Sequence, residues 1–238
     1  MNNTSIATNL AAVRQRITDA CARFGRDPDD VRLLAVSKTR PVTLIEAAID
    51  VGQHDFGENY LQDALEKIQT IDRPGIVWHF IGAIQSNKTR AIAENFEWIH
   101  TVANTKVARR LSDQAPAPRQ ILLQVNISGE AQKAGVAPAE LPPLIESMLG
   151  LPNLAIRGLM TLPAPGEDFE AQRRPFNRLR ELLDTTRERF GNDLEGFDQL
   201  SMGMTADMEA AIAEGATWIR IGTAIFGPRG NQPSVETL

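Results

Sequence analysis

The chain has little of several things that mark particular classes of protein. One cysteine, Cys21, among 238 residues excludes a disulfide within the chain and favours a reducing compartment. Lysine and arginine number 25 against 30 acidic residues, and no basic stripe of the kind that nucleic-acid binders carry is present. No apolar run approaches membrane-spanning length, and the opening MNNTSIATNL lacks the pattern of a signal peptide. We therefore expect a cytoplasmic globular protein that binds neither nucleic acid nor membranes.

The apolar residues that are present follow two kinds of spacing. Leu10, Val13, Ile17, Ala20 and Phe24 recur at three- and four-residue steps, which predicts an N-terminal helix within residues 1–26. Short apolar runs bounded by turn residues then predict strands at 31–37, 53–56, 76–81, 97–102, 119–126, 154–160, 198–202 and 217–221. Helical spacing between them predicts helices near 42–51, 58–70, 86–95, 104–114, 138–149, 169–190 and 205–214.

Repeated strand–helix units indicate an α/β fold with a parallel sheet covered by helices. Eight such strands fit a single (β/α)8 TIM barrel, whose usual size is roughly 250 residues. An open doubly wound sheet is the alternative, because a count of strands cannot exclude it. No linker divides the chain, so we expect one domain over residues 1–238, with a frayed tail at 229–238, and a monomer.

A lysine stands at the end of the first predicted strand, in VRLLAVSKTR. Chemistry in a TIM barrel collects at the carboxyl ends of the strands, so Lys38 is expected at the functional rim. The structural alternative is a lysine that extends its charged end to solvent. The functional hypothesis is a Schiff-base lysine, because desolvation lowers the pKa of an amine and frees it to attack an aldehyde.

Two glycine-containing loops follow the seventh and eighth predicted strands, in LSMGMTADMEAAIAEG and RIGTAIFG. Free backbone N–H groups beside glycine and hydroxyl residues suit a phosphate, and barrel enzymes often bind phosphate at these two loops. The residues concerned are Ser201, Gly203, Thr205, Gly222 and Thr223. The alternative is that Ser201 and Thr205 bond the backbone, with Thr205 as the N-cap of the next helix.

Arg220 lies within the apolar stretch WIRIG, and a buried arginine is rare unless it is paired. It either forms a salt bridge across the barrel or contacts a planar ligand. Since a guanidinium stays protonated at neutral pH, it could donate a hydrogen bond to a ring nitrogen without giving up a proton. An amine, two phosphate loops and this arginine together match the aldehyde, the phosphate and the ring nitrogen of pyridoxal 5'-phosphate.

Several ordered motifs then carry a resemblance to a known family: AVSKTRP, FGENY, WHFIGAIQSNK, QVNISGEAQKAG, GLM, LSMGMTADMEAAIAEGAT and RIGTAIFG. From about residue 10 to residue 229 the chain resembles the YggS/PROSC family of pyridoxal phosphate homeostasis proteins. The resemblance implies a single barrel like the amino-terminal domain of bacterial alanine racemase, which is fold type III among pyridoxal phosphate proteins.

The resemblance also implies roles for particular residues. Pyridoxal phosphate would be bound covalently to Lys38 as a Schiff base, and Arg220 would contact its ring nitrogen. No catalytic or metal-binding residue is predicted, and the roles of His79 and Lys133 stay open. The predicted cofactor-binding residues are Lys38, Asn59, Ser201, Gly203, Thr205, Arg220, Gly222 and Thr223.

A cofactor does not by itself make an enzyme. A racemase needs a base on each face of the substrate carbanion, and alanine racemase takes its second base, a tyrosine, across a subunit interface. This chain has one tyrosine, Tyr60, and ends soon after the eighth strand. We therefore expect a non-catalytic protein that carries or buffers pyridoxal phosphate and hands it to apo-enzymes. A minor amino-acid racemase or lyase is the main alternative, and a barrel that serves only as an interaction module is a third.

Overall fold

The computed structural model of the chain describes residues 3–130 and 132–228, and at its centre is a closed barrel of parallel strands. The strands are β1 Arg32–Val36, β2 Asp55–Glu58, β3 Val77–Phe80, β4 Trp98–Val102, β5 Arg119–Gln124, β6 Leu154–Met160, β7 Gln199–Ser201 and β8 Trp218–Ile221. Each strand pairs with the next, and β8 pairs in turn with β1. Closure confirms the predicted (β/α)8 barrel and excludes the open sheet. The predicted tail at 229–238 lies outside the described residues.

Helices surround the barrel, and the described residues contain nine α-helices. They are α1 Asn3–Phe24, α2 Val42–Ile49, α3 Leu61–Thr70, α4 Thr89–Asn95, α5 Thr105–Gln114, α6 Leu141–Glu146, α7 Phe169–Phe190, α8 Met208–Ala213 and α9 Thr223–Phe226. The sequence did not predict α9, which has four residues. The N-terminal helix α1 packs against α2, α8 and α9, so it fills the part of the outer ring that the short α9 leaves uncovered. None of these helices is both long and apolar enough to cross a bilayer.

The barrel wall separates two packed layers, because alternate strand residues point to opposite faces. Outward residues such as Phe56 and Phe80 lie under the helices in the main apolar core. Inside the barrel, a smaller apolar cluster joins Leu34, Ile81 and Trp218. The interior also holds buried polar side chains, namely His79, His100, Ser201 and Arg220.

One strand boundary differs clearly from its prediction, since β2 was expected at 53–56 and is found at Asp55–Glu58. Gly57 has a weak strand propensity, so the sequence pattern ends too early. In the barrel Gly57 pairs with His79, and a Cβ at this position would lie 3.0 Å from Ile81 and 3.2 Å from Leu34. The limited space inside the barrel therefore favours a glycine within this strand.

The start of α8 also differs, since this helix was predicted at 205–214 and begins at Met208. Asp207 Oδ1 accepts a hydrogen bond from Met204 N at 2.6 Å, and Asp207 N donates to Met204 O at 3.3 Å. These two bonds close a turn over residues 204–207. The N-cap of α8 is Asp207, so Thr205 lies in the loop and does not cap the helix.

Candidate functional site

A cavity of about 450 Å³ opens at the carboxyl ends of the barrel strands. Six of the eight residues predicted to bind a cofactor line it, although they are far apart in sequence: Lys38, Asn59, Thr205, Arg220, Gly222 and Thr223. The apolar side chains of its wall are those of Val36, Ile81, Met160, Leu162, Met204 and Ala206. A cavity with apolar walls and a few convergent polar groups is the usual form of a small-molecule site.

Lys38 lies two residues beyond β1, in a tight turn. Arg40 N donates to Ser37 O at 3.0 Å, which closes the turn around Lys38 and Thr39. Thr39 has a φ of 60°, a left-handed conformation that is rare for a β-branched residue. Backbone strain of this kind persists only where surrounding contacts hold it. The turn places Lys38, which is half-buried, in the wall of the cavity.

Three charged side chains, which we call the turn cluster, hold this turn: Glu58 from β2, and Asp63 and Lys67 from α3. Lys67 Nζ donates to Ser37 O at 2.9 Å, and the same ammonium donates to both carboxylates, at 2.8 and 2.7 Å. Ser37 Oγ donates to Glu58 Oε1 at 2.6 Å. Thr39 N donates to Asp63 Oδ2 at 3.0 Å. Both neighbours of the predicted cofactor lysine are therefore bonded to the cluster.

Burial dominates the electrostatics of the turn cluster. Lys67 is only 3% exposed, and Glu58 is completely buried. Burial raises the pKa of Glu58 above its ordinary value, although the adjacent Lys67 ammonium acts in the opposite direction. Sequence reasoning missed this cluster, because Asp63 and Lys67 at i and i+4 look like an ordinary surface pair on a helix. Only the tertiary structure brings Glu58 against them.

Arg220 extends from β8 into the wall of the cavity and is 4% exposed. Its Nη1 donates to Ser201 Oγ at 2.8 Å, and its Nη2 donates to Thr161 O at 2.9 Å. Burial lowers the pKa of Arg220 to about 10, with a smaller opposing effect of Asp207, so the guanidinium is charged at neutral pH. No ion pair joins Arg220 to a carboxylate in the described part of the chain, so the salt bridge considered as an alternative is not found there.

The two predicted residues that do not line the cavity, Ser201 and Gly203, support its wall. Ser201 is fully buried, and its hydroxyl oxygen lies between Arg220 and His100 Nδ1, 2.9 Å from the imidazole nitrogen. Gly203 has a φ of 91°, and a Cβ there would lie 2.5 Å from the Cβ of Ala211 in α8. The structure thus gives the Ser201 hydroxyl two partners inside the barrel rather than a position on the cavity surface.

The loops after β7 and β8 present hydroxyl groups to the cavity. Thr205 and Thr223 both line it, and neither hydroxyl bonds to another residue within 3–130 or 132–228. A Cβ at Gly222 would lie 3.2 Å from Val36 O, so glycine lets this backbone pass close to β1. The carboxylate of Asp207, which could repel an anion, bonds to the backbone of its own loop and is not part of the lining.

Asn59 follows β2 and supplies a further polar group to the same wall. Its Oδ1 is buried and has no hydrogen-bond partner among the residues described. A buried amide oxygen without a donor is energetically costly, and a ligand could supply that donor. The amine of Lys38, the guanidinium of Arg220 and the threonine hydroxyls complete a set that fits a phosphorylated ring aldehyde.

Two residues whose roles the sequence left open lie away from the cavity lining. His79 is completely buried inside the barrel, which supports a core position over a rim position. Lys133 forms an ion pair with Glu130 at 2.7 Å on the loop after β5.

Tyr60, which follows Asn59, is 55% exposed. Within the described residues no group of histidine, cysteine and carboxylate side chains is arranged to bind a metal.

Comparison with known proteins agrees with this geometry. The sequence profile of the family described as "Alanine racemase, N-terminal domain" matches residues 8–230. The pyridoxal phosphate homeostasis protein of Pseudomonas aeruginosa is 54% identical over 229 residues, which are 94% of this chain and 96% of that protein. The protein of the same name from Escherichia coli K12 is 47% identical over 230 residues, 94% of this chain and 97% of that protein.

Solved structures show the same relationship. PipY of Synechococcus elongatus, solved without PLP, is 36% identical with a TM-score of 0.83 over 93% of this chain and 100% of that chain. Its structure with PLP bound is 35% identical with a TM-score of 0.81 over the same shares. Alanine racemase from Corynebacterium glutamicum, 16% identical with a TM-score of 0.74 over 96% of this chain and 62% of that chain, shares the fold.

The chain therefore belongs to the alanine racemase N-terminal domain family, and within it to the pyridoxal phosphate homeostasis proteins. This confirms the resemblance found in the sequence motifs.

Replacing Lys67 by Met should destabilise the protein by about 3–5 kcal/mol, because Glu58 would remain buried without its partner. Hydrogen exchange at the Thr39 amide should accelerate as the turn loosens. The double variant Lys67→Met/Glu58→Gln should recover most of the free energy of unfolding measured in urea. The control is Arg73→Met, which removes an exposed ion pair with Asp50 and should change stability little. If Lys67→Met and Arg73→Met lost the same free energy of unfolding, this account of the turn cluster would be contradicted.

Proposed function

We propose that the protein binds pyridoxal 5'-phosphate in this cavity, holds it covalently on Lys38, and takes part in its homeostasis by carrying or buffering it. The observation that carries the proposal is the convergence on one cavity of Lys38, Arg220 and the loops after β7 and β8, which contribute Thr205 and Thr223. The names of the relatives that are 54% and 47% identical, and PLP bound in the related PipY structure, support it. When bound, pyridoxal phosphate supplies an aldehyde for amine attack and a ring that can accept electrons.

Lys38 is proposed as the covalent anchor because its position is fixed from both sides. The turn cluster bonds to the backbone of Ser37 and Thr39, so the backbone of Lys38 has a defined place beside the cavity that its side chain lines. An amine at this position can reach an aldehyde bound in the cavity, which is the attack that a covalent anchor requires.

The phosphate is proposed to bind between the loops after β7 and β8. Thr205 and Thr223 offer hydroxyl donors, and the backbone at Gly222 leads into α9. Ser201 and Gly203 contribute by shaping this wall, since neither lies on the cavity surface. The anion would meet no carboxylate among the described lining residues, because Asp207 bonds to its own loop.

Arg220 is proposed to face the ring nitrogen. A guanidinium donates hydrogen bonds and keeps its proton at neutral pH, so the ring nitrogen would stay unprotonated. An unprotonated ring is a weaker electron sink, which disfavours carbanion chemistry. This property suits a carrier better than a racemase.

The described part of the chain offers the cavity no candidate for a second base. Of the lining residues within 3–130 and 132–228, only Lys38, Arg40 and Arg220 carry titratable side chains, and the two arginines remain protonated. Tyr60 is largely exposed and does not line the cavity. We therefore propose a non-catalytic protein that passes pyridoxal phosphate to apo-enzymes in the cytoplasm, where the buried thiol of Cys21 would stay reduced. We also propose that it acts as a monomer.

Loading the protein with pyridoxal phosphate should give a visible absorption band that borohydride removes. Peptide mass mapping should then place the pyridoxyl group on Lys38, and Lys38→Ala should abolish the adduct. Lys88→Ala is the matched control, because Lys88 lies on the neighbouring surface outside the cavity. An adduct mainly on another lysine, or none after loading, would refute the assignment.

The double variant Thr205→Val/Thr223→Val should weaken pyridoxal phosphate binding about tenfold or more, because hydrogen bonds to a charged group contribute about 1.5–3 kcal/mol each. Its binding of pyridoxal, which lacks the phosphate, should change little. Thr185→Val on the exposed face of α7 serves as a control. Equilibrium titration of each protein with each ligand measures these affinities. If the double variant lost equal affinity for pyridoxal phosphate and for pyridoxal, that result would argue against a phosphate site here.

The loaded protein should restore activity to an apo-enzyme that needs pyridoxal phosphate, and a chiral assay over a panel of amino acids should show negligible turnover. Loss of one base alone removes about 10²–10⁴-fold in rate. Turnover near the common enzymatic range of about 1–10³ s⁻¹ that disappears in Lys38→Ala would favour the racemase alternative instead.

A further inference from the structure

A row of polar side chains crosses the inside of the barrel below the cavity. Asp55 Oδ1 lies 2.9 Å from His79 Nε2, and His79 Nδ1 lies 3.0 Å from His100 Nε2. His100 Nδ1 lies 2.9 Å from Ser201 Oγ, which accepts a hydrogen bond from Arg220 Nη1 at 2.8 Å. We call Asp55, His79, His100 and Ser201 the interior chain. It leads from the amino end of β2 to the guanidinium in the cavity wall.

The two imidazole rings of the interior chain are held firmly by packing. Both histidines are completely buried, whereas the Asp55 side chain is 28% exposed. His79 stacks on Trp98, with ring centroids 5.8 Å apart, and meets the edge of Trp218 at 4.8 Å. The rings therefore have a defined orientation, and their nitrogens face fixed partners.

The donors and acceptors available on each group allow the hydrogen bonds of the interior chain to run in one direction, with donation from Arg220 toward Asp55. Arg220 can only donate, so the Ser201 oxygen accepts from it and its single O–H is free to donate to His100 Nδ1. His100 then carries its proton on Nε2 and donates to His79 Nδ1. His79 likewise carries its proton on Nε2 and donates to the Asp55 carboxylate, which can only accept. Every bond in the row is satisfied with two neutral histidines.

The opposite direction is unfavourable. A neutral His79 protonated on Nδ1 would turn the lone pair of Nε2 toward the Asp55 carboxylate at 2.9 Å. A doubly protonated His79 would avoid that clash but would bury a cation. Burial lowers the pKa of His79 despite the nearby Asp55, and burial lowers the pKa of His100 still further, with His79 and Arg220 adding to the effect. Both rings are therefore neutral near pH 7.

The direction of hydrogen-bond donation has its main effect at Ser201, which contacts Arg220. Because its proton is committed to His100, the lone pairs of Ser201 Oγ face the Arg220 guanidinium. Thr161 O fixes the other terminal nitrogen at 2.9 Å. Arg220 has five N–H donors, and these two bonds set the plane in which the others lie.

We propose that the interior chain orients Arg220 for the ring nitrogen of pyridoxal phosphate, so that Asp55, His79 and His100 are positioning residues for the ligand ring. This inference rests on the proposed function and extends it to residues that do not line the cavity. Asp55 would act through three other side chains.

The first experiment needs no ligand. In ¹⁵N-labelled protein near pH 7.5, nuclear magnetic resonance should show His79 and His100 protonated on Nε2 alone. His54, which is exposed, is the internal control and should average between its two tautomers. An Nδ1–H tautomer or an imidazolium at His79 or His100 would overturn the proposed direction.

The second experiment compares two ligands in Asp55→Leu. This variant removes the terminal acceptor at the most accessible residue of the interior chain. Its affinity for pyridoxal phosphate should fall about three- to tenfold, the usual effect of one hydrogen bond. Its affinity for 1-deazapyridoxal 5'-phosphate, in which carbon replaces the ring nitrogen, should stay within about twofold of the parent protein's.

General damage to the barrel would weaken both ligands equally, and that result would overturn the proposal, as would an unchanged affinity for pyridoxal phosphate. Asp72→Leu, at an exposed position between α3 and β3, is the matched control. If Asp55→Leu does not fold, Ser201→Ala breaks the last link and should show the same selective loss. Failure of the parent protein to form the Lys38 adduct would refute the proposed function, while the tautomer measurement would still stand.

Discussion

The buried positive charge of Arg220 is the constraint on which the barrel interior depends. A cation 4% exposed, without a carboxylate partner in the described chain, must be stabilised by oriented dipoles. Ser201 and Thr161 supply the nearest of these, and the hydroxyl of Ser201 requires an acceptor for its own proton. That requirement extends to His100, then to His79, and ends at Asp55. The row of polar side chains from Ser201 to Asp55 thus follows from one guanidinium.

A second buried charge stabilises the other side of the cavity in a similar way. The Lys67 ammonium is surrounded by two carboxylates and the Ser37 carbonyl. One of those carboxylates, that of Asp63, accepts a hydrogen bond from the backbone N–H of the left-handed Thr39. Both charge networks consist mainly of groups outside the cavity lining, and they act on Arg220, which lines the cavity, and on the backbone on either side of Lys38. Groups of this kind give a ligand site its rigidity, because a rotamer fixed by hydrogen bonds costs no ordering free energy on binding.

Much of the fold was predictable from local patterns. Apolar runs predicted eight strands near their observed places, and Lys38, Arg220 and the glycine loops pointed to a common rim before any contact was known. The errors have local causes. Gly57 has a weak strand propensity but fits the crowded interior, and Asp207 closes a turn that delays the start of α8.

The sequence by itself determined the strand–helix alternation, the residue types at the strand ends and the family motifs, because these depend on spacing along the chain. Only the tertiary structure decided that Ser201 lies beneath the cavity rather than on it, and that Lys67 and Glu58 meet beside Lys38. It likewise decided that His79 and His100 connect Asp55 with Arg220. The physical reason is that barrel closure sets which residues face one another across the interior. Hydrogen-bond partners 101 positions apart leave no pattern in a single sequence.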